Sequence, residues 1–109
     1  MFDFMLPKVP QVEVKDLADV IKSKKDIIIL DVRTPQEFAR EKISGSINLP
    51  MDQVARKVEN IIPNKDKVIY TYCMSGSRSV FAVQTMVKLG YKNVFDVKSG
   101  MLAWRILNK

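Results

Sequence analysis

Ile27-Ile28-Ile29-Leu30-Asp31-Val32-Arg33-Thr34-Pro35-Gln36-Glu37 is the stretch on which the fold of this chain turns. Ile27–Val32 is a near-continuous apolar run rich in β-branched side chains, the pattern of a strand covered on both faces of a parallel sheet. Thr34-Pro35-Gln36-Glu37 then reads as a helix start. Thr34 is placed to be the N-cap, Pro35 sits at the first helical position, and Glu37 closes a capping box. A buried strand that feeds straight into a helix is the first half of a βαβ unit.

The alternation continues in both directions from there. Val12–Val14 reads as a short strand, and Leu17, Val20 and Ile21 follow at helical i, i+3, i+4 spacing. Downstream, Ile47–Leu49 predicts a short strand before Pro50. Val54, Val58, Ile61 and Ile62 recur at i, i+4, i+7, i+8 on a helix that Pro63 ends. Val68–Cys73 is a second buried strand. Ser79–Leu89 reads as a helix with Ala82, Val83, Met86 and Val87 on one face and Gly90 as its terminator. Val94–Val97 is a last strand, and a short helix around Met101–Leu107 follows it. Strands alternating with helices predict an α/β fold with a mostly parallel sheet.

A chain of 109 residues, 47% hydrophobic and 28% charged, has the size and composition of one globular domain. The expected unit is residues 1–109, with 1–10 as an N-terminal tail whose Phe2, Phe4, Met5 and Leu6 either pack on the domain's own sheet or dock a partner. No stretch is long and apolar enough for a membrane span. The opening MFDFMLPKVP carries an acid and lacks a basic leader, so no signal peptide is expected. Together with a single cysteine, this predicts a cytoplasmic protein in a reducing compartment. The absence of histidine excludes every His-based triad, zinc site and proton relay. The net charge of +6 is unevenly placed: residues 1–60 hold ten basic and ten acidic side chains, whereas 61–109 hold eight basic ones against Asp66 and Asp96. The excess shares its half with the only cysteine and would either attract small anions or an acidic partner, or simply keep the protein soluble. No basic cluster is interleaved with stacking aromatics, so no nucleic-acid partner is expected.

The chemistry concentrates in Tyr72-Cys73-Met74-Ser75-Gly76-Ser77-Arg78-Ser79. Cys73 ends an apolar strand, a small-residue turn follows, and a helix begins at about Ser77–Ser79. Ligands of open α/β sheets bind beyond the carboxyl ends of the strands, where a helix N-terminus offers unpaired N–H groups and partial positive charge. Both favour a thiolate over a thiol. Gly76 lets the turn curl so that several N–H groups converge on an anion. Taken alone, Cys73 fits a buried strand cysteine; the Gly/Ser turn, the following Arg78 and the strand-end position favour a nucleophile. Arg78 has two open readings that are compatible with each other: an ion pair with Asp31 or Glu37 that braces the turn, and a guanidinium that faces the anion.

At these positions the chain resembles the rhodanese family. Asp31-Val32-Arg33-Thr34-Pro35-Gln36-Glu37-Phe38 is similar to its Asp-Val-Arg signature, and Ile43-Ser44-Gly45-Ser46-Ile47-Asn48-Leu49-Pro50 to its next segment. Cys73-Met74-Ser75-Gly76-Ser77-Arg78-Ser79 resembles its active-site loop. Gly90-Tyr91-Lys92-Asn93-Val94 and Gly100-Met101-Leu102-Ala103-Trp104 resemble its closing motifs. The resemblance implies a five-stranded, mostly parallel sheet flanked by helices on both faces, and a sulfurtransferase that needs neither cofactor nor metal. It implies Cys73 as the catalytic nucleophile, which carries the sulfur as a persulfide. Met74, Ser75, Gly76, Ser77, Arg78 and Ser79 would bind the substrate, with Asp31, Arg33 and Glu37 in support. The implied partners are a small anionic sulfur donor such as thiosulfate and an external acceptor: cyanide, a small thiol or a protein cysteine. Three positions depart from the family pattern. Glu41-Lys42 stand where Gly-His is common, Ser99-Gly100 where the family closes on Gly-Gly, and Met74, Ser75 and Ser77 are uncharged where thiosulfate-preferring members tend to be basic. Two alternatives accompany this reading, a non-catalytic interaction module and a phosphatase or arsenate reductase on the related fold. The latter uses a Cys-x5-Arg loop, one residue longer than the Cys-x4-Arg present here.

Overall fold

The computed structural model describes residues 7–108. Its elements run β1 (Gln11–Val12), α1 (Val14–Lys22), β2 (Ile27–Asp31), α2 (Pro35–Arg40), β3 (Ile47–Asn48), a 3-10 turn (Met51–Gln53), α3 (Val54–Ile61), β4 (Val68–Tyr72), α4 (Ser77–Lys88), β5 (Asn93–Val97) and α5 (Gly100–Leu107). The strands stand in the order β1-β5-β4-β2-β3. Every pairing among them is parallel, so the sheet expected to be mostly parallel is wholly so among the described residues.

Local sequence explains the element starts. The Thr34–Glu37 capping box forms as read: Glu37 Oε1 accepts the Thr34 N–H at 3.0 Å and Thr34 Oγ1 accepts the Glu37 N–H at 3.2 Å. A second box corrects the first strand. Asp16 Oδ2 accepts the Glu13 N–H at 2.9 Å, so Glu13 caps α1 and Val14 opens that helix. The strand read as Val12–Val14 is therefore only Gln11–Val12. α4 ends in a Schellman motif, with Gly90 donating to the Val87 carbonyl and Tyr91 to the Met86 carbonyl, both at 3.0 Å. Val87 does not join the buried stripe of Ser79, Ala82, Val83 and Met86 as expected; it lies about 100° round from Met86 and is exposed. Ile61 is likewise exposed, because the chain leaves the helix at Ile62 and turns that side chain inward instead.

Strand alternation divides the core into two layers. On one face Leu30, Val32, Ile69, Cys73 and Val94 pack with Val54 and Val58 of α3 and Ala82, Val83 and Met86 of α4. On the other, Ile29, Tyr70, Tyr72 and Val97 pack with Leu17 of α1 and Met101 of α5. Successive side chains of a strand point to opposite faces, so Thr71 and Asp96 share the α4 face and Asp31 takes the α5 face. β1 closes the edge: Asp96 donates its N–H to the Pro10 carbonyl at 2.8 Å, and Val9 packs against the α4-side layer. Phe2, Phe4, Met5 and Leu6, the apolar residues of the tail, lie outside the described residues. No helix of the described residues is long and apolar enough to cross a membrane.

Candidate active site

Cys73 follows the last residue of β4 and is 1% exposed. Its sulfur lies under the first turn of α4, where it accepts the N–H of Gly76 at 3.1 Å and of Ser79 at 3.3 Å. Gly76 is the residue that makes this turn possible: its φ of +115° is strained for any side chain. The loop is also tied from behind. The Cys73 carbonyl accepts the N–H of Met101 at 2.9 Å and the Met74 carbonyl that of Leu102 at 3.1 Å, so the N-terminus of α5 holds both. Only glycine fits at position 100, because a Cβ there would lie 2.1 Å from the Cys73 carbonyl oxygen. In a trans peptide the N–H points opposite the C=O, so the amides of Met74 and Ser75 face away from α5. Among the described residues the N–H groups of Met74, Ser75, Ser77 and Arg78 reach no protein acceptor. The loop therefore carries four N–H groups without a described acceptor, in addition to the two already on the sulfur.

The supporting residues separate into two ion pairs. Arg78 places Nη1 2.7 Å from Glu37 Oε1 and Nη2 3.0 Å from Oε2, a fork-to-fork pair between the first turn of α4 and the first turn of α2. Glu37, not Asp31, is its ion-pair partner, so the bracing contact is made and runs to α2. The hydrogen bond from Arg78 holds the Glu37 carboxyl at about 2, well below the ordinary carboxylate range. Asp31 pairs with Arg33 instead. Arg33 Nη2 lies 2.7 Å from Asp31 Oδ2, Nε contacts both carboxylate oxygens at 3.1 Å, and the two side chains are 1% and 0% exposed. Arg33 Nη2 also donates to the Glu41 carbonyl, and its guanidinium lies over the Tyr72 ring. The Tyr72 hydroxyl accepts the Ile43 N–H at 3.1 Å and meets Ser46 Oγ at 3.0 Å; burial pushes it up to about 12. Asp31 and Arg33 thus form a buried pair that makes no hydrogen bond to the sulfur, and Arg33 shares a recess with Met74.

The remaining loop residues line two openings. Met74 lies in a narrow recess of about 60 Å³ with Arg33, Glu37, Arg40, Glu41 and Arg105. Ser75, Gly76 and Ser77 line a wider cleft of about 290 Å³ with Gln11, Val80, Asp96, Lys98 and Ser99. Two residues that touch the site are not assigned to it by the sequence reading. Gly100 enters there only as part of the closing motif, whereas here it meets the Cys73 carbonyl. Asp96 is an acid in the middle of the apolar strand Val94-Phe95-Asp96-Val97, a buried charge that calls for an explanation, and it contacts Ser79.

Comparison with known proteins agrees with the fold. The family model described as "Rhodanese-like domain" matches residues 13–107. A sulfurtransferase from Allochromatium vinosum is 31% identical over 96 residues, covering 88% of this chain and 88% of its own. The crystal structure of a rhodanese-related protein from Thermoplasma volcanium superposes with a TM-score of 0.80 at 32% identity, over 91% of this chain and 93% of that one. A structure from Rhodopseudomonas palustris, of unknown function and described as a possible tyrosine phosphatase, superposes with a TM-score of 0.82 at 28% identity, over 92% and 82%.

Proposed function

The chain belongs to the rhodanese-like domain family, and we propose that it is a sulfurtransferase that moves a sulfane sulfur from a donor such as thiosulfate to a thiophilic acceptor through a persulfide on Cys73. In the first half-reaction the Cys73 thiolate attacks the outer sulfur of the donor. A new S–S bond forms, the donor's own S–S bond breaks, and sulfite leaves with the bonding electron pair. In the second, the acceptor attacks the terminal sulfur of the persulfide and Cys73 departs as thiolate. Two displacements replace one, with ping-pong kinetics.

The observation that carries this reading is the supply of backbone donors around the sulfur. Gly76 and Ser79 already hold it, and the N–H groups of Met74, Ser75, Ser77 and Arg78 remain available for the negative terminal sulfur of a persulfide. Arg78 braces the loop through Glu37 while keeping a positive charge near it, and the Asp31–Arg33 pair supports the recess beside Met74. The chain has one cysteine, so the acceptor is external: cyanide, a small thiol or a cysteine of another protein. A thiol that must be regenerated each cycle suits a reducing compartment, and the cytoplasm is the proposed setting.

Incubation with thiosulfate followed by intact-mass measurement tests the proposal. The expected result is a dithiothreitol-reversible gain of one sulfur on Cys73 and thiocyanate release on adding cyanide, both lost in Cys73→Ser while the thermal melt stays close to wild type. Failure to take up sulfur from thiosulfate, a small persulfide or a persulfidated protein would refute it. An aryl phosphate assayed in parallel separates the phosphatase alternative. The loop of six residues from Cys73 to Arg78 is one short of a phosphate-enclosing loop, and negligible hydrolysis is expected. Cys73-dependent hydrolysis without sulfur transfer would reverse that assignment, and a Cys73 inert to every donor would leave the interaction module.

A further inference from the structure

Behind the sulfur lies a chain of groups that the two displacements do not use. The Cys73 thiol donates to Ser79 Oγ at 3.3 Å, and Ser79 Oγ donates to Asp96 Oδ1 at 2.5 Å. The second carboxylate oxygen, Oδ2, accepts from Gln11 Nε2 at 2.7 Å. Cys73, Ser79 and Asp96 are all 1% exposed or less. β4 and β5 put this chain together: Thr71 pairs with Asp96 across the ladder, and two residues beyond Thr71 the Cys73 side chain returns to the same face under α4.

We propose that Asp96 is the proton acceptor for the Cys73 thiol, acting through the Ser79 hydroxyl, and that Cys73 and Asp96 share one proton. The proposal rests on Cys73 being the sulfur-carrying nucleophile. In the transfer, the thiol proton moves to Ser79 Oγ while the Ser79 hydroxyl proton moves to Asp96 Oδ1. The electron pair of the S–H bond stays on sulfur. No charge enters or leaves; one negative charge moves from the carboxylate to the sulfur. The hydrogen bonds then run in reverse, the Asp96 acid donating to Ser79 Oγ and Ser79 donating to the thiolate.

The surroundings favour both ends of this exchange. A charge on Cys73 gains a third donor beside the Gly76 and Ser79 amides and sits at a helix N-terminus, with the Arg78 guanidinium within electrostatic reach. A charge on Asp96 has much less. β1 contributes the uncharged Gln11 amide, α4 the Ser79 hydroxyl, and β4 with the residue that follows it only Thr71 and Cys73; the buried Thr71 Oγ1 has no hydrogen-bond partner among the described residues. Lys98, past the end of β5, lines the same cleft but forms no ion pair with Asp96. Burial accordingly raises the Asp96 carboxyl above its ordinary range, offset in part by Ser79 and Gln11. In a chain without histidine, a buried acid one hydroxyl away from the thiol can take the proton instead.

Iodoacetamide alkylation of Cys73 against pH, on the full chain, reads the coupling without any sulfur donor. Its failure is thus distinct from a failure of sulfur transfer. Wild type is expected to show two inflections, as two sites sharing a proton do. Asp96→Asn should show one, displaced to lower pH than the upper wild-type inflection by about one unit or more, roughly a tenfold gain in rate on the rising limb. Gln11→Leu withdraws a donor from the carboxylate at an exposed edge position. It should raise the rate at the lower inflection several-fold, and it keeps the test open if Asp96→Asn does not fold. An Asp96 with only a structural role would change the melting temperature and leave both profiles on the wild-type curve. Superimposable profiles overturn the proposal.

Discussion

Two aspartates among the described residues are fully buried, and they sit on opposite faces of the same sheet. Asp31, on the α5 face, is matched by Arg33 through three close contacts to its carboxylate, and the Arg33 backbone N–H adds another at 2.8 Å. Asp96, on the α4 face, has no cation within bonding distance among the described residues; it has one hydroxyl and one amide. Desolvating a carboxylate costs several kcal/mol unless it is paired. The fold meets that cost at Asp31 with a dedicated arginine, and at Asp96 leaves it partly unmet. The difference assigns the two faces different work. The paired acid fixes the Arg33 side chain against Tyr72 and Glu41, and the unpaired one lies a single hydroxyl from Cys73.

The largest expected effect comes from breaking the matched pair. Arg33→Met leaves Asp31 buried without its counter-charge and should destabilise the domain by about 3–5 kcal/mol in urea unfolding. Combining it with Asp31→Leu should recover most of the loss, because two apolar groups no longer require solvation. Asp96→Asn removes a charge that was never paired and should cost far less than either single change in the other pair. A cost for Arg33→Met below about 1 kcal/mol, the value of an exposed ion pair, would erase the distinction between the two faces.

Next in size is the tie that joins the faces. Gly100→Ala forces a Cβ toward the Cys73 carbonyl at a left-handed φ of +44°. It should cost about 2–4 kcal/mol and lower sulfur transfer on the order of 10²-fold, because moving the Cys73 carbonyl misaims the amides that follow it. Retained transfer at wild-type rate would show that the loop holds its shape without α5.

The two sides also differ in how stability responds to pH. Asp96 has a raised folded value, so the unfolded chain gives up that proton more readily. Stability should therefore fall as pH rises from about 4, the ordinary aspartate value, through the raised folded value, and Asp96→Asn should flatten that decline. Glu37 has the opposite sign. Held at about 2 by Arg78, it contributes stability that is present above about 4.3 and lost as pH falls toward 2. Glu37→Gln should remove that acid-side loss. Urea midpoints of wild type, Asp96→Asn and Glu37→Gln across pH 2–8 measure both limbs, and parallel curves for all three would show that neither acid is linked to folding as described.

Much of this contrast was legible in the sequence, and one part was not. The Ile27–Val32 run, the Thr34–Glu37 box and the strand-turn-helix at Cys73 each lie within a dozen consecutive residues, where local propensity and capping chemistry act. They lead directly to the parallel sheet and the loop. The apolar spacing of Val12 and Val14 predicts a strand through both, and the structure ends it at Val12 because Glu13 and Asp16 form a capping box that opens α1. Asp96 was missed for a different reason. Its meaning depends on which residue of β4 it faces, and register between two strands 25 residues apart is a tertiary fact, set by the Thr71–Asp96 pairing. Likewise, Arg78 could be read as a brace from its sequence, but the choice of Glu37 over Asp31 follows from Arg33 having already taken Asp31.

The smallest expected effect concerns the turn that carries the chain from Asp96 on one face to α5 on the other. Ser99 adopts φ +60°, ψ +9°, a left-handed conformation that costs a side-chain-bearing residue about 1–2 kcal/mol relative to glycine. Its carbonyl accepts the Ala103 N–H at 3.1 Å, a bond that any residue could supply. Glycine at this position relieves the strain but loses more backbone freedom on folding, a penalty of about 0.5–1 kcal/mol. The balance favours Ser99→Gly by about 0.5–1 kcal/mol, seen as a higher urea midpoint with an unchanged slope. The change leaves Asp96, Ser79 and the Cys73 loop untouched, so the alkylation profile of Cys73 should stay on the wild-type curve. A stabilised variant with an unmoved profile would show that the turn connects the two faces without coupling them. A lower midpoint would mean that the Ser99 side chain contributes more to holding this turn than its backbone conformation costs.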